Sequence, residues 1–188
     1  MTPGALHVAL LRGINVGGRN KLAMADLVAL FEVAGAADVQ TYIQSGNVIF
    51  RAGAARAAGV AGTKRIAALV TAAIGAKFGL KVPVVTRSAA EFASVLTGNP
   101  FLKRGVDPKA LHVIFLAGQP SMERATALDP KRSPGDQFAL LGREIYLHLP
   151  NGVAGSKLTN DYLDRTLATV STGRNWNTVQ KIAALLVG

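Results

Sequence analysis

Two strand-forming runs, VQTYIQ (39–44) and NVIF (47–50), are separated only by Ser45-Gly46. A serine-glycine pair between β-branched and aromatic residues signals a tight hairpin. Helical patterns flank it. Met24, Leu27, Val28, Phe31 and Ala34 recur at helical spacing over residues 23–34, with Gly35 placed as a C-terminal cap. TKRIAALVTAAIGAKFG (63–79) is a second helix, opened by a threonine cap and closed by a glycine. Apolar runs complete the set. ALHVALL (5–11) reads as a buried strand, and KVPVVTR (81–87) as an edge strand because of Pro83. The order β-α-β-β-α-β is that of the split βαβ, or ferredoxin-like, arrangement. Residues 52–62, mostly Ala, Gly and Arg, read as a surface loop within it.

The second half repeats the pattern. SAAEFASVLTG (88–98) is a short helix stopped by Asn99-Pro100. ALHVIFLA (110–117) is a strand, SMERATAL (121–128) a helix with a serine cap, and QFALL and EIYLHL a hairpin turned by Gly142-Arg143. SKLTNDYLDRTLA (156–168) and WNTVQKIAALL (176–186) are helices. The expectation is an α+β chain of two ferredoxin-like halves, residues 1–87 and 110–188, joined by a connecting helix and loop over 88–109. No residue-level repeat is apparent between the halves.

Composition narrows the function. With 188 residues, 49% hydrophobic and 17% charged, the chain can bury a sizeable core. It has no cysteine, which removes disulfides, thiolate metal sites and cysteine nucleophiles. The N-terminal run lacks the basic start of a signal peptide, and no stretch approaches a membrane span, so a cytoplasmic setting without membrane partners is expected. Twenty-one Lys and Arg stand against eleven Asp and Glu, a formal net charge of +10. That excess favours an anionic partner, a small molecule or a nucleic acid. The basic residues are scattered, and aromatics are only 6%, so nucleic acid is the alternative rather than the first reading.

Topology brings the polar motifs together. The first two strands of a split βαβ are parallel, with the third antiparallel between them. The end of strand one, the start of helix one and the hairpin turn therefore share one sheet edge. That edge carries RGINVGGRNK (12–21) and SGN (45–47). Gly13, Gly17 and Gly18 allow close backbone approach, Arg12 can grip a phosphate or carboxylate, and Asn15, Ser45, Gly46 and Asn47 can orient a ligand. The motif is not a P-loop: G-x-x-x-x-G is followed by Arg19-Asn20 rather than Lys and a hydroxyl residue. The competing reading is a tight corner in which the glycines supply positive φ and the asparagines bond loop carbonyls.

LLRGINVGGRNKLAMADLVALF, VQTYIQSGNVIF, NPF, GVAGSKLTNDYLDR and TGRNWNTVQKI together resemble the bacterial domain-of-unknown-function family numbered 1697. The resemblance runs over most of the chain. It implies an α+β fold of two related subdomains and brings no activity with it.

STGRNWNTV (171–179) reads as the entrance to the last helix. Asn175 or Asn177 would cap it and Trp176 would pack as a staple. The functional alternative joins Arg174, Asn175, Trp176 and Lys157 to the anion site, with Lys157 at a helix start and Trp176 stacking on a base. Catalytic patterns are missing. His7, His112 and His148 sit in strands without metal-ligand spacing, and Asp161 and Asp164 read as a solvated helix face. No catalytic residue, metal or cofactor is assigned. The readings carried forward are an anion-binding module, a nucleic-acid binder, an enzyme on a nucleotide-like or acyl substrate, and a protein–protein adaptor.

Overall fold

The computed structural model describes residues 4–52 and 59–187. It is an α+β chain containing two four-stranded antiparallel sheets. Contacts divide it into two compact units, Met1–Ala93 with Ile182–Gly188, and Ser94–Lys181. The division falls inside two helices, α3 (Ala89–Gly98) and α6 (Trp176–Val187).

The first unit runs β1 (Leu6–Leu11), α1 (Met24–Val33), β2 (Ala36–Tyr42), β3 (Asn47–Ala52), α2 (Gly59–Phe78), β4 (Val84–Ser88). Its strand order is β2-β3-β1-β4. Alternate residues of β1 and β3, Ala9, Leu11, Val48 and Phe50, meet Leu27 and Phe31 of α1 and Ile66, Val70 and Ile74 of α2 in one core. This is the period-2 face of a sheet closed by the apolar stripes of two helices. The opposite face is buried too, through Val8, Leu10, Ile49, Val85 and Arg87.

Two boundaries differ from the sequence expectation. Strand β2 starts three residues early, at Ala36, because pairing of Ala36 with Ala52 and Ala37 with Arg51 supplies what Ala-Ala-Asp lacks in strand propensity. The pairing is irregular between Ala37 and Gln40, where Asp38 takes φ +49° and its carboxylate meets Arg51 at 3.1 Å. Helix α2 starts at Gly59, so Thr63 is a buried interior residue and not the cap. Of the expected 52–62 loop, Ala52 ends β3, 59–62 are helical, and the rest lies outside the described residues. Strand β4 is an edge strand, as Pro83 suggests. Helix α3 opens with a reciprocal cap: Ser88 Oγ accepts from the Glu91 N–H, and the Glu91 carboxylate accepts from the Ser88 N–H.

The second unit runs β5 (Leu111–Leu116), α4 (Met122–Thr126), β6 (Gln137–Leu141), β7 (Glu144–His148), α5 (Asn160–Leu167), β8 (Ser171–Asn175). Its strand order is β6-β7-β5-β8, the order of the first unit advanced by four strands. Ile114, Leu116, Ile145 and Leu147 of the sheet pack on Leu163 and Leu167 of α5. The eighth strand is absent from the sequence reading, which merged Ser171–Asn175 into the helix entrance. Pairing of Ser171 through Asn175 with β5 makes it a strand. At Gly173 a Cβ would stand 2.9 Å from Ile114 Cδ1, so a larger residue there would make that side-chain tip shift.

A residue-level correspondence between the units does exist. LHVALL of β1 and LHVIFL of β5 agree at four of six positions. Val8 pairs with Arg87, and Val113 with Arg174. Each of these two buried arginines donates to the carbonyl of the residue before it, Thr86 at 2.8 Å and Gly173 at 2.7 Å.

Candidate functional site

The edge expected from topology is formed. Leu10 pairs with Asn47, and the Leu11 N–H donates to the Gly46 carbonyl at 2.8 Å. Gly46 sits at φ +76°, and a Cβ there would stand 2.7 Å from that of Leu11 and 3.1 Å from Ile14. Only glycine lets the hairpin turn lie against the end of β1. Arg12 follows directly and is half-buried; its N–H donates to the Pro83 carbonyl at 3.0 Å.

Beyond Arg12 the chain builds a small hairpin of its own. Val16 bridges Arg19 in antiparallel fashion, with Gly17 at φ +57° and Gly18 at +75° between them. Two successive positive φ values are the mark of a type I′ turn. Nothing lies within 4 Å of a Cβ at either glycine, so backbone conformation, not crowding, calls for them. Asn15 and Asn20, also at positive φ, close the base. The Asn15 N–H donates to the Asn20 carbonyl at 3.1 Å, and Asn20 Nδ2 to the Gly13 carbonyl at 2.8 Å. Asn15 Oδ1 accepts from the Leu22 N–H, while its Nδ2 donates to the carbonyls of Leu22 and Gln44, at 2.9 and 3.0 Å. The amides are thus engaged within the two loops. Buried Asn47 does the same in the hairpin turn, donating to the Tyr42 carbonyl and to Ser45 Oγ.

Two of the exposed side chains of these loops are cations, beside Val16, Asn20, Ile43 and Gln44. Arg19 and Lys21 are exposed. No carboxylate occurs before Asp26, which is held by Lys77 at 2.8 Å. Exposed positive charge attracts anions. Residues 12–22 and 43–47 contain neither His, Asp nor Glu, so no side chain of these loops is a general base near neutral pH.

The second unit shows what this scaffold needs at such an edge. Leu116 N–H donates to the Arg143 carbonyl at 2.8 Å, matching Leu11 and Gly46. Ala117 N–H donates to the Val170 carbonyl, matching Arg12 and Pro83. Yet β5 reaches α4 in five residues, 117–121, where β1 reaches α1 in twelve, 12–23. The β6–β7 turn takes two residues and the β2–β3 turn four. Within the longer connection Ile14 and Leu22 are buried anchors, and the seven residues 15–21 between them lie outside the core.

The remaining expected site residues belong to the second unit. Lys157 is exposed, but α5 begins at Asn160 with Thr159 as its cap, so Lys157 is not at a helix start. Its N–H donates to Ser133 Oγ. Arg174 is buried and bonded to Thr172 Oγ1 and the Gly173 carbonyl, and burial pulls its pKa down to about 10. Asn175 caps α6, its Oδ1 accepting from the Thr178 N–H at 2.8 Å. Trp176 is 1% exposed, so its ring has no face to offer a base. The sequence reading missed Ile43. It stands half-exposed at φ +49° in the hairpin turn, where its β-branched side chain argues for strand instead.

Among the described residues no cluster of His, Asp and Glu could hold a metal, and no helix is long and apolar enough to cross a membrane. No curated protein matches the chain. Among solved structures it resembles the conserved bacterial protein SP0830 from Streptococcus pneumoniae, with 20% identity and a TM-score of 0.66 over 97% of this chain and 98% of that one. The family model DUF1697, a protein of unknown function, matches residues 5–146, and the chain belongs to that family.

Proposed function

We propose that this chain is a cytoplasmic binding module for a phosphorylated or otherwise anionic small ligand, nucleotides included, held at the edge of residues 12–18 and 45–47. The observation that carries this reading is the contrast between the two units. The same strand order closes its edge with five residues in one and twelve in the other. The excess falls in 15–21, which adds Arg19 and Lys21 beside Arg12 and adds no carboxylate. Long connections held on a rigid scaffold are where binding residues concentrate. The shared strand order and the paired LHV motifs also support reading both units as ferredoxin-like halves of an internal repeat.

The proposed site leaves out Arg174 and Asn175, which are hydrogen-bonded within β8 and the start of α6, and Trp176, whose ring is buried. The test is calorimetric titration of phosphate and AMP into the wild type and Arg12→Ala. Losing one charge-assisted contact should weaken both ligands by about tenfold or more. Equal affinities for the two proteins would show that Arg12 is not part of a site.

A further inference from the structure

We propose that two copies of this chain pair through strand β6, antiparallel about a two-fold axis at Ala139. Their second units then share one continuous sheet of eight strands, four from each copy. The inference does not depend on the anion reading.

Strand β6 ends its sheet, and the neighbouring strands fix which way its peptide groups point. The Arg143 carbonyl accepts from the Leu116 N–H, and the Leu149 N–H donates to the Ala110 carbonyl. Hydrogen bonding alternates along an antiparallel pair, so odd-numbered residues of β7 face β5 and even-numbered ones face β6. Through the register, Gln137, Ala139 and Leu141 bond to β7, opposite His148, Tyr146 and Glu144. Phe138 and Leu140 therefore turn their N–H and C=O groups away from the sheet. Among the described residues no hydrogen bond reaches those outward groups.

Such an edge is complementary to itself. With Ala139 on the axis, Phe138 of one copy lies opposite Leu140 of the other, twice, and each pair exchanges both backbone hydrogen bonds. The side chains agree with this register. Phe138 and Leu140 stand opposite Leu147 and Ile145 and pack, half-buried, at the border of the core that includes Leu163 of α5. A second copy carries that core across the border through two aromatic–aliphatic cross-strand pairs. Charge also favours a second copy. The chain carries +10, yet Gln137–Leu141 is uncharged, so two copies meet here without like charges opposed. Just beyond the strand the signs differ, with Asp136 before it and Arg143 after it. The two-fold axis sets the Asp136 end of one strand beside the Arg143 end of the other; Asp136 is held by Ser133 Oγ at 2.6 Å. A foreign strand would meet the same two outward peptides, but β6 has no charge of its own to select it.

Sedimentation equilibrium of the full chain tests the pairing, with wild type, Ala139→Lys and Ala139→Glu run alone and the two variants mixed. One strand from each copy makes a small interface, so the wild-type dimer should dissociate on the order of 10 μM. Each variant alone sets two like charges on the axis and should weaken the dimer by about a hundredfold or more. The equimolar mixture sets lysine against glutamate and should return to within about tenfold of wild type. Circular dichroism checks that each variant is folded. Should Ala139 not tolerate a charge, Leu141→Lys at its exposed position should weaken the dimer by about tenfold. A wild type that stays monomeric to about 100 μM overturns the inference and leaves the edge to a strand of another protein. A dimer unaffected by every folded variant overturns it, as does a mixture of folded Ala139 variants that stays monomeric. So does a mass that keeps climbing with concentration, which would mean open-ended addition in place of a closed pair.

Discussion

Asn15 shows how one side chain can decide the form of a loop. Its amide makes three hydrogen bonds, two to Leu22 and one to Gln44, from a backbone at φ +54°. Asn15→Ala removes all three and places a Cβ-bearing residue in the left-handed region without local hydrogen bonding. The expected loss is about 2 kcal/mol in urea unfolding. Asn15→Gly keeps the conformation and loses only the bonds, so it should lie about 1 kcal/mol above the alanine variant. An alanine variant as stable as wild type would mean that the loop is held by other contacts. The residue was legible in the sequence as part of a polar, glycine-rich corner; its use was not. Whether an amide turns toward a ligand or a carbonyl depends on Gln44, 29 positions away. The same limit applied to Trp176, whose burial is set by packing that no local pattern reports.

At the level of elements, local signals were read well and partner-dependent ones were not. Hairpins, serine caps and glycine stops are written within a few residues, and Ser121 and Gly142-Arg143 stand as expected, whereas the cap expected at Thr63 lies inside α2. Strand β8 is different. Ser-Thr-Gly-Arg-Asn has neither apolar alternation nor strand propensity, and β5 imposes the conformation by pairing. The long connection after β1 offers a test at this scale. Replacing Val16–Arg19 with a single glycine spares the anchors Ile14 and Leu22 and the amides of Asn15 and Asn20. The melting temperature should fall by no more than about 2–4 °C, a loss on the order of 1 kcal/mol, while phosphate binding is lost. Unfolding of the variant by circular dichroism would show the tip to be structural. In the second unit, Asn175→Ala should cost about 1 kcal/mol in chemical denaturation, as loss of a helix cap does.

Across the whole molecule, the matched motifs place a histidine at the second position of β1 and of β5. Burial lowers the pKa of both His7 and His112 below 6.5; Glu91 pushes His7, and the Ala110 carbonyl pushes His112, the other way. His7 Nε2 and His112 Nδ1 are buried without a hydrogen-bond partner among the described residues. The folded chain thus favours the neutral rings more than the unfolded chain does, which takes up protons near pH 6.5. Their contribution to stability is complete above that pH and falls away below it, as the unfolded state binds more protons. Melting temperature measured from about pH 7 to about pH 5 should drop less in His7→Leu/His112→Leu than in wild type. An unchanged slope would mean that these rings do not carry the effect. The outer strands of the two sheets also differ. Strand β2 is irregular at Ala37–Gln40 and carries Asp38, paired with Arg51 of β3, whereas β6 is in unbroken register and uncharged from Gln137 to Leu141. A bent, charged border cannot template another chain, and a straight neutral one can. In concentrated solution, aggregation by strand addition therefore favours the β6 border over β2, and a lysine at exposed Leu141 would be the place to raise solubility.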